Sequence, residues 1–144
     1  MINIAIGSDH AGFELKEVLI SYLKSQNIEV IDKGCFSIAR ADYADAAHAV
    51  ATEVVNKKAT FGILICGSAN GVAITANKHQ GIRAGLCWEN EVARLVRLHN
   101  DANIICIPAR FVAEVLAEEM IETFMTTEFE GGRHATRVGK IACG

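Results

Sequence analysis

A thiol followed by small and polar residues is the first candidate for chemistry in this chain. Cys66 ends the apolar run 61–66, and residues 67–71 lead into an apolar stretch at 72–76 that the pattern predicts as a helix. Gly67 and Gly71 permit a sharp turn whose N–H groups point into one concavity, and such a nest favours negative charge. A thiol beside it can have its pKa lowered toward neutrality, which makes it a usable base or nucleophile.

Charged and polar residues follow two other predicted strands. Asp9 and His10 come directly after the first strand, and Arg110 follows the last one. Because an open parallel sheet binds ligands outside the carboxyl ends of its strands, we expect Asp9, His10, Cys66 and Arg110 to meet at one site. Each also has a plainer explanation by itself: a helix cap for Asp9, a solvated surface position for His10 and Arg110, and small core filler for Cys66.

Two further groups lie in the carboxyl-terminal third. His99 stands seven residues after Val92 on the apolar face of a predicted helix, so it is either a core histidine or, with Asn100, part of the rim of a site. Arg133 and Arg137 are four residues apart, and a helical tail would turn both guanidinium groups the same way, which suits a phosphate. The alternative is a frayed basic tail.

Short apolar strands alternating with amphipathic helices would position these groups. Strand–helix–strand units imply right-handed crossovers and a parallel sheet covered on both faces. The predicted fold class is α/β, a three-layer Rossmann-like sandwich with a five-stranded parallel sheet. The predicted strands are 2–7, 28–31, 61–66, 82–87 and 104–108, and the predicted helices are 11–23, one capped by Asp42 or Asp45 that ends near 56, one that ends near 78, 89–99 and 111–126.

Composition limits the remaining classes. The 144 residues suit a single domain, and no apolar run approaches the roughly 18 residues of a membrane span. A net charge of −3 gives no general attraction to nucleic acid or to an anionic membrane. The five cysteines form no CxxC pair, and the first residues lack the features of a signal peptide, so we expect reduced thiols in a cytoplasmic protein.

Several motifs are excluded by position. A phosphate-binding P-loop would need lysine where Phe13 or Val72 stands, and a cysteine phosphatase loop would need arginine at Val72. No GxGxxG or GxSxG sequence is present. The sequence carries no pair of His, Cys or carboxylate ligands at metal-binding spacing on one predicted element, so we expect no metal.

Five segments together resemble the ribose-5-phosphate isomerase B family and its lactose-operon relatives. The segments are 7–12 (GSDHAG), 42–45 (DYAD), 66–71 (CGSANG) with 76–78 (ANK), 99–103 (HNDAN) and 131–137 (GGRHATR), and they cover essentially the whole chain in the family's order. Ala69 replaces the glycine usual in that loop, and Ala44 replaces a usual proline.

The resemblance implies a reaction and roles for individual residues. Such an enzyme interconverts ribose 5-phosphate and ribulose 5-phosphate through an enediolate, without metal or other cofactor. Cys66 matches the base, and Ser68 with the backbone amides of Gly67, Ala69, Asn70 and Gly71 would form the oxyanion hole. Asp9 and His99 match the pair that opens the sugar ring, Tyr43 and Asn100 line the pocket, and His10, Arg110, Arg133 and Arg137 match the phosphate clamp.

The resemblance also implies an assembly. The site would draw residues from two subunits of a homodimer, or of a tetramer, with the tail at about 127–144 packing on a neighbouring subunit. Three alternatives stay open: isomerisation of a six-carbon sugar phosphate, a non-catalytic doubly wound binding module, and a thiol-dependent hydrolase with Cys66 as nucleophile and His99 as base.

Overall fold

The computed structural model describes residues 1–143 and contains a parallel sheet with helices on both faces. This confirms the predicted three-layer α/β fold class. The strands are β1 (Asn3–Ser8), β2 (Glu29–Asp32), β3 (Phe61–Cys66), β4 (Ala84–Leu86) and β5 (Ile104–Pro108). The helices are α1 (Phe13–Ser25), α2 (Tyr43–Val55), α3 (Asn70–Ala76), α4 (Asn90–Asn100), α5 (Glu114–Thr126) and α6 (Arg133–Gly139).

The strand order β2-β1-β3-β5-β4 places the three longest apolar strands at the centre of the sheet. All four pairings are parallel. Chain order reverses at β1, because β2 lies on one side of it and β3 on the other. Ser8 pairs with Ile65 and Cys66 pairs with Pro108, so the carboxyl ends of β1, β3 and β5 lie side by side.

Alternate residues of the central strands build two separate apolar cores, as expected for strands covered on both faces. Ile63, Ile65, Ile105 and Ile107 belong to the core beneath α1, α4 and α5. Leu64, Cys66, Ile104 and Cys106 belong to the core beneath α2 and α3. Cys66 therefore projects toward the α2/α3 face of the sheet.

Some predicted details are wrong. Asp42 occupies the position before α2, but neither it nor another side chain caps that helix. The fourth strand is shorter than predicted because only Ala84–Leu86 pair with β5. The buried positions of α4 are Ala93 and Arg97, whereas Val92 and Val96, on the face that carries His99, are only partly buried against the core. Across residues 1–143, no helix combines the length and apolar character that crossing a bilayer requires.

A buried lysine connects α1 to the edge of the sheet. The Lys16 side chain has 0% exposure, and its Nζ donates to the two carboxylate oxygens of Asp32 at 2.9 and 2.8 Å and to Glu17 at 3.1 Å. Asp32, the last residue of β2, also accepts the Gly34 N–H at 2.9 Å. Because a buried ammonium group needs a counter-charge, this pair fixes α1 against β2 and sets the start of the 33–42 connection.

We expect Asp32→Asn to lower the free energy of unfolding by about 3 kcal/mol, because Lys16 then keeps its buried charge without its main partner. The asparagine oxygen can still accept the Gly34 N–H, so the charge is the main change. Urea denaturation followed by circular dichroism measures the effect. Glu17→Gln is the matched control: its carboxylate is 53% exposed, and its loss should cost less than about 1 kcal/mol. Equal losses in the two variants would contradict the special role of Asp32.

Candidate active site

Three of the predicted site residues meet at the carboxyl edge of the sheet. The Asp9 N–H donates to Ile65 O at 3.2 Å, and the Arg110 N–H donates to Gly67 O at 3.1 Å. The Ala109 N–H donates to Cys66 O at 3.0 Å. The segments after β1, β3 and β5 are thus joined directly by backbone hydrogen bonds, and Asp9, Cys66 and Arg110 come together as parallel strand order predicts.

The Cys66 side chain lies at the carboxyl end of β3 and is only 4% exposed. It is the last residue of β3, on the face covered by α2 and α3. A thiol in this position is shielded from bulk water, and a ligand can approach it only from the carboxyl end of the strand. All five cysteines of the chain are free thiols.

Close packing at Gly67 and Gly71 determines the shape of the loop after Cys66. A side chain at Gly67 would lie 3.1 Å from the Arg110 guanidinium, and one at Gly71 would overlap the Tyr43 ring. Ala69 between them adopts the left-handed conformation with φ 65°, where a non-glycine residue costs roughly 1–2 kcal/mol. Glycine at that position would relieve this strain.

The Ser68 hydroxyl bonds within its own loop. Ser68 Oγ accepts the Asn70 N–H at 3.3 Å, and both residues are exposed. Ser68 therefore supports the turn in this structure, and its O–H can still donate to a ligand while its oxygen accepts the Asn70 N–H.

Asp9 lies both in the turn that leads into α1 and at the strand end beside Cys66. Its Oδ1 accepts the Gly12 N–H at 3.0 Å, as in a helix-initiating turn, and the residue is 9% exposed beside the strand that ends in Cys66. A side chain at Gly12 would lie 2.6 Å from Ile65 O, so only glycine allows the start of α1 to approach β3 this closely. The same turn thus holds the carboxylate at the edge of the site.

A groove beside Asp9 and His10 is formed by the long connection after β2. His10 Nδ1 lies 3.2 Å from Ala41 O and 3.3 Å from Ala41 N, which attaches the end of that connection to the site. The Ser8 N–H donates to Gly34 O at 2.6 Å and attaches its start. The groove has a volume of about 490 Å³ and is lined by Ser8, Lys33, Gly34, Cys35, Phe36, Arg40, Ala41, Asp42, Asp45 and Ala46. The sequence analysis did not single out Cys35 and Arg40 as residues that line this groove. Their only sequence signal was the length of the irregular segment between β2 and α2.

The other predicted site residues lie at the opposite edge of the same chain. His99 and Asn100 end α4, which runs back from the carboxyl edge, and the following Asn103 bonds to Arg83 at the amino end of the sheet. Arg133 and Arg137 lie exposed on α6. The tail is thus helical rather than frayed, and one chain does not bring these four residues to Cys66.

His99 belongs to a cluster that the sequence did not reveal. Its ring stacks on that of His134, with centroids 4.3 Å apart and planes 13° apart. Glu130 lies 4.0 Å from Nε2 of His99 and 3.8 Å from Nε2 of His134. The His99 side chain is 38% exposed, so it is not a core histidine, whereas that of His134 is 5% exposed.

The ring geometry of this cluster does not suit a metal ion, although its ligand atoms lie within 4.8 Å of one another. Nearly parallel rings direct their nitrogen lone pairs side by side rather than toward one point. Burial lowers the pKa of His134, and His99, Arg133 and Arg137 lower it further while Glu130 opposes them. His134 is therefore held neutral.

The fold and this edge site define a doubly wound α/β protein with a shielded thiol at the carboxyl ends of its parallel strands. A family model described as Ribose/Galactose Isomerase matches residues 4–141. The chain belongs to this family. The Escherichia coli protein named ribose-5-phosphate isomerase B is 43% identical over 141 residues, which cover 98% of this chain and 95% of that protein.

Solved structures agree with this assignment over nearly the full length. A ribose 5-phosphate isomerase from Thermotoga maritima superposes with a TM-score of 0.96 at 47% identity, covering 97% of each chain. Ribose-5-phosphate isomerase B from Mycoplasma genitalium, solved with bound ribulose-5-phosphate, superposes with a TM-score of 0.92 at 40% identity, covering 97% of this chain and 93% of that one.

Two other thiols provide a test of the thiol environments. Burial raises the pKa of Cys87 to about 12 and that of Cys106 well above its usual value. Both thiols stay protonated at neutral pH, so we expect iodoacetamide to label exposed Cys143 first and these two last. Peptide mass spectrometry of the native protein gives the order. Early labelling of Cys87 would contradict it.

The raised pKa of Cys87 predicts that the free energy of unfolding falls as the pH rises. The Cys87 pKa is near 9.0 when unfolded and about 12 when folded, so its contribution is complete below about pH 9 and is lost as the pH rises toward 12. In denaturation curves measured across that pH range, the free energy of unfolding of Cys87→Ala should fall less with pH than that of the wild type. Cys143→Ala should behave like the wild type.

Proposed function

We propose that this chain is an aldose–ketose isomerase that interconverts ribose 5-phosphate and ribulose 5-phosphate through an enediolate. The observation that carries the proposal is the shielded Cys66 thiol at the end of β3, where backbone hydrogen bonds to its neighbours Ile65 and Gly67 hold Asp9 and Arg110, in a chain 43% identical to the Escherichia coli ribose-5-phosphate isomerase B. The neighbour structure that holds ribulose-5-phosphate supports a five-carbon substrate.

In the proposed mechanism Cys66 is the base. Its thiolate takes the proton from C2 of the open-chain aldose, and the C1 carbonyl oxygen becomes the enediolate oxygen. The proton of the C2 hydroxyl then passes to the C1 oxygen, and the Cys66 thiol returns its proton to C1 as the C2 oxygen becomes a carbonyl. Proton transfer by a positioned base typically contributes about 10²–10⁴-fold to the rate. The amides of residues 67–71 would stabilise the enediolate oxygen, and loss of one such donor costs on the order of 2.7–4 kcal/mol.

The substrate phosphate requires positive groups from both edges of the sheet. His10 and Arg110 stand near Cys66, whereas Arg133 and Arg137 stand with His99 and Asn100 at the far edge. We therefore propose a homodimer in which the far edge of one subunit completes the site of its partner; two such dimers would form the tetramer that the resemblance also allows. This arrangement gives the two exposed arginines a phosphate to bind.

A six-carbon sugar phosphate is the second candidate substrate, because the family description includes galactose isomerases. The names of the relatives cited above favour ribose 5-phosphate. The values of kcat/KM for ribose 5-phosphate, allose 6-phosphate and galactose 6-phosphate, measured side by side, decide between the candidates.

Cys66→Ala should lower turnover of ribose 5-phosphate by at least about 10²-fold, because the base is lost. The positive groups remain, so ribose 5-phosphate should still raise the melting temperature of the variant. Cys143→Ala, which removes an exposed thiol, is the matched control. Normal turnover by Cys66→Ala would overturn the mechanism, and a covalent sugar adduct on Cys66 would favour the hydrolase alternative.

Mixing two inactive variants tests whether subunits share the site. Cys66→Ala and His99→Asn damage opposite edges, so a mixed dimer has one intact site and one doubly damaged site. Random exchange of subunits should restore about a quarter of wild-type turnover, because about half of the dimers are mixed. The control is the same mixture kept from exchanging. No recovery after exchange, verified by native mass spectrometry, would contradict a shared site.

A further inference from the structure

The stacked histidine pair is held by more than its own contacts. His99 is the penultimate residue of α4, and Glu130 and His134 come from the segment that starts the tail. The Glu130 N–H donates to Leu98 O at 3.0 Å, so this segment is bonded to the last turn of α4 directly beside His99. The distance between the two imidazole rings is therefore fixed by backbone as well as by side chains.

Arg97 also holds the end of α4 to the start of the tail. Its side chain is buried, and its NH1 donates to Ala102 O at 2.7 Å and to Asp101 at 2.8 Å, while its Nε donates to Thr127 O at 3.1 Å. The guanidinium also lies over the ring of Phe61 at 5.0 Å. One buried guanidinium group thus joins the end of α4 to the start of the tail. It thereby fixes the backbone that carries His99, Glu130 and His134.

Within the cluster, the three side chains have different freedom. His134 is buried, and its Nε2 is the one buried side-chain nitrogen or oxygen within residues 1–143 that has no hydrogen-bond partner. Its nearest acidic atom is a Glu130 oxygen at 3.8 Å. His99 and Glu130 are 38% and 43% exposed, so burial does not hold them as it holds His134. The buried ring therefore provides a fixed flat surface for the exposed one.

We propose that His134 and Glu130 are positioning residues for His99: the buried imidazole fixes the plane of the His99 ring, and the carboxylate fixes which ring nitrogen turns away from the substrate. The proposal rests on the proposed function, in which His99 acts in opening the sugar ring. It assigns roles to two residues at the far edge that contact no substrate themselves.

Ring opening explains why such positioning matters. The bond between C1 and the ring oxygen breaks, the ring oxygen gains a proton, and the C1 hydroxyl loses one as the aldehyde forms. An imidazole that delivers or takes a proton must face one oxygen, and a displacement of about 1 Å can cost about 10²-fold in rate. A hydrogen bond or carboxylate on one ring nitrogen determines the tautomer and hence the role of the other nitrogen.

The test separates ring opening from proton transfer. Ribulose 5-phosphate cannot close a five-membered ring because its O5 carries the phosphate, so exchange of its C1 protons with heavy water needs Cys66 but no ring opening. Glu130→Gln should lower kcat for ribose 5-phosphate by about 10- to 100-fold with little change in KM. The initial rate of deuterium entry at C1 of ribulose 5-phosphate, followed by NMR, should stay near the wild-type rate.

Variants of His134 distinguish stacking from proton transfer. His134→Phe keeps a flat ring and should retain most of the turnover, whereas His134→Ala should behave like Glu130→Gln. Glu128→Gln, the same change at an exposed glutamate two residues away, is the control and should leave both rates unchanged. Thermal melting confirms that each variant is folded.

The outcomes separate this proposal from the proposed function. Wild-type protein that neither isomerises ribose 5-phosphate nor exchanges the C1 protons of ribulose 5-phosphate would overturn both. An active wild-type protein overturns the positioning roles alone if Glu130→Gln keeps full turnover, if turnover and exchange fall together, or if His134→Phe is as damaged as His134→Ala. Loss of turnover with retained exchange, rescued by phenylalanine at 134, supports the roles.

Discussion

Parallel pairing of β1, β3 and β5 is the constraint on which the positions of the candidate site residues depend. It aligns the carboxyl ends of three strands, and backbone hydrogen bonds then join the segments that follow them. The same pairing requires every connecting helix to return to the amino edge. Each helix therefore starts near the carboxyl ends of the strands and ends near their amino ends. This places Cys66, at the end of β3, and His99, near the end of α4, at opposite ends of the sheet.

This division gives the two edges different physical characters. The carboxyl edge holds a thiol at the end of a buried strand, where contact with water is small. The far edge presents exposed arginines and a half-exposed imidazole on the last turn of a helix and a short tail helix. A shielded thiol and exposed guanidinium groups place opposite demands on burial. In the proposed homodimer, both would meet at one site.

Two buried cations hold the irregular segments of this arrangement to the neighbouring helices and strands. Lys16 fixes β2 and the start of the groove wall through Asp32, and Arg97 fixes the start of the tail through Thr127 O. A buried charge without its partners costs several kcal/mol, so each pair tolerates few alternative conformations. The 33–42 connection and the start of the tail are thereby fixed by interactions outside the proposed site.

The sequence by itself determined the fold class, the bounds of β3 and β5, and the gathering of Asp9, Cys66 and Arg110, because apolar periodicity and parallel strand order are local signals. Only the tertiary structure decided the surface position of His99, its stacking on His134 and the burial of Lys16 and Arg97. Each of these depends on partners far apart in the chain, such as 16 with 32 and 97 with 127, and no spacing within one element encodes such a pair.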